Sequence, residues 1–165
     1  MSTAKNSIAS VFEAPIGRIK KAKKIADLIR NLRAYRWVGI YDVGPELVSI
    51  IAYAGHGAPA YRQFPITKGL TASAIRTKNT VVVGDVRNDP RYLTAFGSTL
   101  SEIIIPVLDE NNAVVGTIDV ESEQVNAFSL EDESVLEECA RVARPLWSKY
   151  DFGAAGVLAR DNYGE

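Results

Sequence analysis

Three acidic side chains occupy positions from which they can meet on one face of a β-sheet. Asp119 and Glu121 lie two residues apart in a β-branched segment, so they point to the same side of a strand. Glu102 begins the strand predicted to pair with that segment. Grouped carboxylates repel one another, so such a cluster raises the pKa of at least one member or awaits a cationic or hydrogen-bond-donating ligand. An amino group suits it; the alternative is a solvated sheet face with charges at strand ends.

The thiol and the imidazole offer less chemistry. Cys139 is the single cysteine, which excludes an intrachain disulfide and a cysteine-based zinc site. It falls on the apolar side of a predicted helix, as a small buried hydrophobic residue does. His56 is the single histidine and lies in a glycine-containing loop, where it is an acid or base near neutral pH or an ordinary loop residue. No pattern supports a haem ligand, and no metal or other cofactor is predicted.

Composition narrows the class of protein. The 165 residues, with 47% apolar and 24% charged side chains, are typical of one globular domain. A net charge of −1 gives no general attraction to nucleic acid or to an acidic membrane. No stretch approaches the roughly 20 apolar residues of a membrane span, and residues 1–12 lack the apolar block of a signal peptide. The single cysteine fits a reducing cytoplasm, and we expect no nucleic-acid or membrane partner.

The elements that must position the three acids begin with a helix. Apolar residues recur at spacings of three and four over residues 15–33, with lysines on the opposite side. A hairpin follows, and then Ala54-Gly-His-Gly-Ala-Pro59 marks a loop. The first half of the chain thus predicts a helix, two paired strands, a short third strand and a short helix: 15–33, 35–41, 47–53, 61–66 and 71–77.

The second half holds the clearest hairpin and a second long helix. Strands are predicted over 80–83, 102–108 and 113–120. The polar loop 85–100 is unusually long for a compact domain and is interpreted as a ligand lid. Ser129 and Asp132 form a variant of the capping box, so a helix begins there and bends or ends near Pro145. Meandering antiparallel strands with terminal helices indicate the α+β class.

Local motifs carry a family resemblance. Gly116–Ser122, followed by Asn126–Asp132 and a long helix, resembles the C-terminal signature of GAF domains. Other motifs, over roughly 35–147, resemble the free methionine-(R)-sulfoxide reductase branch of that family: Pro59-Ala60, Phe64-Pro65, Lys68-Gly69 and Ser101–Pro106. No linker divides the chain and no clean period follows residue 149, so the sequence predicts a single domain over 1–149 and a C-terminal tail over 150–165. The resemblance implies the fold of the family: a central antiparallel sheet of about six strands, with terminal helices on one face and a ligand pocket with loops on the other.

The chain departs from that branch at its cysteines. Where the branch carries three cysteines, this sequence has Tyr61, Thr71 and Ala95. Reduction of a sulfoxide by thiols needs a thiolate nucleophile and a second thiol that resolves the intermediate. We therefore expect no catalytic residues and no such thiol chemistry.

The acidic residues were not lost with the cysteines, since Glu102, Asp119 and Glu121 match carboxylates that line the substrate pocket of the reductase branch. Aromatic side chains with polar ends can orient a ligand beside them. Tyr61 is larger than the cysteine it replaces and can shrink the pocket. The predicted ligand-binding set is Trp37, Tyr61, Thr71, Tyr92, Ala95, Glu102, Asp119 and Glu121.

The predicted function is a non-catalytic sensor or regulatory domain that binds a small molecule, for which an amino-acid-like compound is the candidate. We expect a homodimer formed through the terminal helices and a separate signalling partner protein. Three alternatives stay open: a reductase-like enzyme with other chemistry, a cyclic-nucleotide-binding GAF domain suggested by Asn126 and Phe128, and an interaction module with a filled core.

Overall fold

A computed structural model describes residues 2–148, 151–152 and 158–159 of the chain. Its elements are named here in chain order and listed with their bounds. The helices are α1 (Ser2–Val11), α2 (Arg18–Leu32), α3 (Gly69–Thr77) and α4 (Leu130–Ala143). The strands of the main sheet are β1 (Trp37–Val43), β2 (Leu47–Gly55), β3 (Gln63–Pro65), β4 (Val81–Val83), β5 (Ser101–Leu108) and β6 (Val114–Ser122).

The six strands form one antiparallel sheet in the order β3-β2-β1-β6-β5-β4. Two hairpins, β1–β2 and β5–β6, meet at the centre because β1 pairs with β6. The predicted α+β class and six-stranded sheet are thus confirmed. The arrangement places residues of distant hairpins side by side on the same face.

One face of the sheet is covered by helices. Alternate residues of β1, β2, β5 and β6 join the buried stripe of α2, which packs against β1 and β2, and the buried side of α4, which packs against β5. Helix α1 packs against both α2 and α4. Trp147, in the 3₁₀ turn Arg144–Trp147 that continues α4, lies over Gly116, where a Cβ would come within 2.2 Å of the indole nitrogen. This helical layer leaves the opposite face free for the site.

The start of α4 follows its local sequence. The Ser129 hydroxyl accepts a hydrogen bond from the Asp132 amide at 3.2 Å, and the Asp132 carboxylate accepts one from the Ser129 amide at 2.9 Å. This is the predicted capping box. Tyr35 also donates to Asp132 at 2.8 Å, which fastens the helix start to the residues before β1.

Some sequence expectations were wrong. Helix α1 was not predicted, because its sequence is mostly small and polar and only Ile8 and Val11 are buried hydrophobic residues within it. Ile19 and Leu130 were expected in buried stripes but are 69% and 84% exposed, since both lie in the first turn of their helices. Lys21 was assigned to the solvated side of α2 and is buried instead.

The C-terminal residues 150–165 were predicted as a tail. Within them, Asp151–Phe152 and Leu158–Ala159 form a two-stranded antiparallel pair, β7 and β8, and the rest lies outside the described residues. Among the described helices, none has both the length and the apolar content needed to span a membrane.

Candidate ligand-binding site

The three acids meet on the sheet face opposite the helices. In the ladder, Glu102 of β5 lies directly across from Glu121 of β6, and Asp119 is the next residue of β6 on that face. Alternation places Val120 between the two on the helical face, where it belongs to the main core. The pairing of β5 with β6 therefore brings together the acids that the sequence spacing predicted to cluster.

All three carboxyl groups are buried, with exposed fractions of 7% for Glu102, 5% for Asp119 and 3% for Glu121. Burial is the largest cause of the raised pKa of each acid. Burial raises the pKa of Asp119 to about 7, with the Thr117 hydroxyl acting in the opposite direction and Glu121 adding repulsion. Glu102 and Glu121 titrate as a pair, and repulsion from Glu121 adds to the rise at Glu102. The cluster therefore holds protons near neutral pH that ordinary carboxylates would have lost.

A loop residue fixes the orientation of Glu121. Thr99 donates from its hydroxyl to Glu121 Oε2 at 2.5 Å, and both side chains are buried. Thr99 belongs to the loop that precedes β5, the segment predicted as a lid. Arg36 lowers the pKa of Glu121 by its charge, but its guanidinium forms an ion pair with Glu123 at 2.6 Å. No cationic side chain is among the residues that line the site.

Buried polar atoms lack partners at this face of the sheet. Among the described residues, three buried side-chain oxygens make no hydrogen bond: Asp119 Oδ1, Thr117 Oγ1 and the Tyr92 hydroxyl. The hydroxyls of Thr117 and Thr71 lie near enough to lower the pKa of Asp119 without satisfying Oδ1. An unsatisfied buried oxygen costs about 1–3 kcal/mol, and more when it is charged. A ligand that donates a hydrogen bond to Asp119 would remove that cost.

An aromatic floor lies beside the acids. Gly39 is the partner of Asp119 in the ladder, and a Cβ there would come within 2.4 Å of the Trp37 ring and 2.7 Å of the Tyr41 ring. The two rings therefore close over the glycine. Trp37 donates its indole N–H to the Gly57 carbonyl at 3.2 Å and stacks on Tyr53 with a centroid distance of 6.0 Å. This packing places Trp37 beside the acids, on the same face of the sheet, with its polar end already occupied.

Tyr41 belongs to both faces of the sheet. Its ring lines the site, where burial and the charge of Asp119 raise the pKa of its hydroxyl well above the usual value. Its backbone carbonyl accepts a hydrogen bond from the Trp147 indole at 3.2 Å, at the end of α4. One residue thus contacts the candidate ligand site and the helical layer.

The acids open into a narrow cleft. The space between its lining residues is about 380 Å³ when the solvent at the mouth is included, but the cavity volume is only about 30 Å³. That volume holds about two or three waters. The cleft is lined by Tyr41, Tyr61, Phe64, Gly69, Leu70, Thr71, Leu93, Ala95, Glu102, Asp119 and Glu121.

Two loops meet at the mouth of the cleft. The Ala60 amide donates to the Ala95 carbonyl at 3.1 Å, which joins the loop after β2 to the loop before β5. Tyr61 follows at once and is 48% exposed. Across the mouth, Leu93 packs on Gly69 at the start of α3, where a Cβ would meet the leucine Cβ at 3.3 Å. The mouth is therefore narrow because side chains of both loops reach across it.

The structure gathers most of the predicted set. Six of the eight predicted residues line the cleft: Tyr61, Thr71, Ala95, Glu102, Asp119 and Glu121. Trp37 lies on the same face beside Glu121 and does not line the cleft. Tyr92 packs against the small apolar cluster around Leu70 and Ile104. Burial, and then the charge of Glu121, raise the pKa of Tyr92 to about 12, while Thr99 approaches the phenol without hydrogen-bond geometry.

Five lining residues were not predicted: Tyr41, Phe64, Gly69, Leu70 and Leu93. A signal for Tyr41 was present, because it follows Trp37 and Gly39 at strand alternation and so shares their face. Leu93 lies in an irregular loop, where no periodicity indicates which way a side chain points.

The other candidates lie elsewhere. His56 is exposed in the loop after β2. Cys139 is buried in the main core at 2% exposure, and burial raises the pKa of its thiol to about 11. Asn126 adopts a left-handed backbone conformation and its amide donates to the Gly84 carbonyl, while Phe128 packs on Tyr35. Neither Asn126 nor Phe128 lines the cleft.

The acids are not arranged as a metal centre. Across the described part of the chain, no group of three or more histidine, cysteine, aspartate or glutamate side chains is placed to hold a metal ion.

Comparison with known families adds to this geometry. The family model described as GAF domain matches residues 18–144. The chain belongs to the GAF domain family. Its fold and its cleft between sheet and loops can now be compared with those of other GAF proteins.

Similar GAF proteins include reductases. The free methionine-R-sulfoxide reductase of Saccharomyces cerevisiae is 29% identical over 107 residues, which cover 64% of this chain and 59% of that protein. GAF domain-containing protein A of Dictyostelium discoideum is 28% identical over 106 residues, 64% of this chain and 66% of that protein. This chain thus spans about three fifths to two thirds of the length of these curated relatives.

Solved structures agree in fold. The type II free methionine-R-sulfoxide reductase from Thermoplasma acidophilum superposes with a TM-score of 0.71 at 28% identity, over 87% of this chain and 94% of that one. The free methionine-R-sulfoxide reductase from Neisseria meningitidis, in complex with its substrate, gives a TM-score of 0.79 over 88% and 87% of the two chains. At 24% identity the second comparison supports the fold alone.

Proposed function

We propose that this GAF domain binds a small molecule carrying a protonated amino group and releases it unchanged, as a sensor or regulatory domain. The observation that carries the proposal is Asp119 Oδ1, a buried oxygen without a hydrogen-bond partner beside two further buried carboxyl groups. An ammonium group donates up to three hydrogen bonds and accepts none, so it matches this set of acceptors.

Electrostatics favour the same class of ligand. Every charged side chain that lines the cleft is acidic, and the aromatic rings of Tyr41, Tyr61 and Phe64 form much of its wall. Ring faces attract cations and exclude water around them. A bound ammonium ion would also favour ionisation of the acids, so ligand binding should release protons near pH 7.

The loop before β5 is the proposed moving part. Ala95 and Leu93 line the cleft from this loop, and Thr99 holds Glu121. A ligand against the Tyr41 ring would reach the helical layer through the hydrogen bond from Trp147 to the Tyr41 carbonyl. We include in the proposal a cytoplasmic location, homodimerisation through the terminal helices and a separate protein that receives the signal.

Isothermal titration of the full chain tests the binding proposal. The panel comprises alkylammonium chlorides, amino acids, methionine sulfoxide, nitrate and nucleotides. We expect heat from ammonium compounds alone, and Glu102→Gln or Asp119→Asn should weaken binding by about tenfold or more, since a charged hydrogen bond is lost. Glu110→Gln, at an exposed acid of the β5–β6 turn, is the matched control. Silence from every ammonium compound contradicts the proposal.

A second candidate, an enzyme related to the sulfoxide reductases, is supported by the similarity to proteins of that name. Incubation of the full chain with free methionine-(R)-sulfoxide and dithiothreitol distinguishes the two. We expect no turnover above the uncatalysed rate, because the sole thiol is buried away from the cleft. Measurable turnover that disappears in Asp119→Asn would favour the enzyme.

A further inference from the structure

The size of the cleft gives a second constraint on its ligand, beyond charge. The cavity volume is about 30 Å³, which corresponds to about two or three waters. The cavity beside the acids is thus small, and a compact ammonium group fits it more readily than a bulky one.

Tyr61 is one of the side chains that narrow the mouth. Tyr61 lines the cleft and follows Ala60, whose amide is tied to the Ala95 carbonyl of the opposite loop at 3.1 Å. The hydrogen bond fixes the backbone from which the Tyr61 ring extends. Tyr61, Arg62 and Gln63 are all exposed, so this segment lies on the solvent side of the cleft.

The Tyr61 side chain can also be truncated without disrupting the hydrophobic core. It is 48% exposed, and it belongs to none of the three clusters of buried apolar residues. Truncation of a side chain this exposed costs little stability. The acids that hold the amino group lie on β5 and β6, elements that do not include Tyr61.

We propose that Tyr61 determines ligand size in this domain, restricting the carboxyl cluster to compact primary ammonium ions. This inference rests on the proposed function and names the ligand class within it. Shortening residue 61 should open the cleft along the direction in which an alkyl chain leaves the acids, and so admit longer amines.

A length series of alkylammonium chlorides, from methylammonium to hexylammonium, tests this by isothermal titration. In the unmodified chain, affinity should be highest for one or two carbons and fall about tenfold or more for each methylene that no longer fits. In Tyr61→Ala the preferred length should increase by at least two methylenes. Tyr61→Phe should retain the short limit because it keeps the ring.

Two further variants serve as a control and as an independent test of this interpretation. Leu130→Ala truncates an exposed side chain that does not line the cleft, and its length profile should match that of the unmodified chain. Ala95→Val narrows the mouth from the opposite loop and should lower the affinity for ethylammonium more than for methylammonium, which tests the size limit even if Tyr61→Ala does not fold.

The outcomes separate the two proposals. If amines bind but Tyr61→Ala and the unmodified chain share one length profile, Tyr61 does not set the limit and the proposed function stands. Highest affinity of the unmodified chain for hexylammonium also overturns the inference. If no amine binds any variant, the proposed function fails and the inference fails with it.

Discussion

At the scale of single residues, the unusual feature is a set of acids placed where they resist ionisation. The sheet holds Glu102 and Glu121 opposite each other, and burial removes the water that would stabilise their charges. Such an arrangement costs stability when the acids are ionised. Proteins retain costs of this kind at sites that bind or react.

The pH dependence of stability follows from the raised pKa of Asp119. Its native pKa of about 7 lies above the ordinary value of 3.8, so between these values the native state holds a proton that the unfolded state has lost. The free energy of unfolding therefore falls as the pH rises from about 4 to about 7, by up to about 4 kcal/mol from this group. Asp119→Asn should reduce that fall. Urea unfolding at pH 5 and pH 8 measures it, and parallel curves for both proteins would contradict the assignment.

The spacing of the acids was readable in the sequence, and their mutual contact followed from a hairpin that the sequence also predicted. The burial of the acids did not follow. Whether strand-end acids are solvated or enclosed depends on loops that cover them, and the conformation of the segment before β5 has no periodic signal. Tyr92 and Trp37 show the same limit: their loop or strand was identified, but the surroundings of each polar end depended on contacts with distant residues.

At the scale of elements, the close packing of β1 depends on a residue without a side chain. The rings of Trp37 and Tyr41 occupy the space that a Cβ at position 39 would need. Gly39→Ala should lower the free energy of unfolding by about 2 kcal/mol or more, because the rings must leave favourable positions. Thermal and urea unfolding measure the loss. Gly97→Ala is the control, since no atom lies within 4 Å of a Cβ there, and equal effects would refute the packing argument.

The start of α4 depends on its cap. Ser129→Ala removes the acceptor for the Asp132 amide and should cost about 1 kcal/mol. Burial acts to raise the pKa of Asp132, but hydrogen bonds from Ser129 and Tyr35 and the charge of Arg33 outweigh it, so the pKa is lowered. Ser134→Ala, at an exposed position within the same helix, should change stability little. Chemical unfolding of both variants checks the difference, which vanishes if the cap is unimportant.

The helices differ in how clearly the sequence predicts them. The α2 stripe and the α4 cap produce local signals, and both elements were predicted. Helix α1 has no long apolar stripe, and it is stabilised by packing on α2 and α4. Stabilisation by tertiary contacts leaves little trace in local sequence.

At the scale of the whole molecule, the placement of its one thiol limits the chemistry available. Cys139 lies in the main core between α4 and the sheet, on the face away from the cleft. In the native state it should react with a thiol reagent such as 5,5′-dithiobis(2-nitrobenzoate) more slowly than in urea by about 100-fold or more, because the thiolate is disfavoured and access is blocked. Rapid native reaction would contradict this placement. Cys139→Ala should leave amine binding unchanged.

Within one residue, Tyr41 connects the two faces of the sheet, because its ring lines the cleft and its carbonyl accepts a hydrogen bond from Trp147. A displacement of its ring by a bound molecule would move the peptide to which Trp147 is anchored, without any rearrangement of the core between them. The Trp147 indole is then an intrinsic fluorescent probe: its emission should report occupancy of the opposite face, and a Trp147→Phe variant would leave Trp37 alone to report from the cleft face itself. Communication across the domain would thus depend on the stiffness of a single strand.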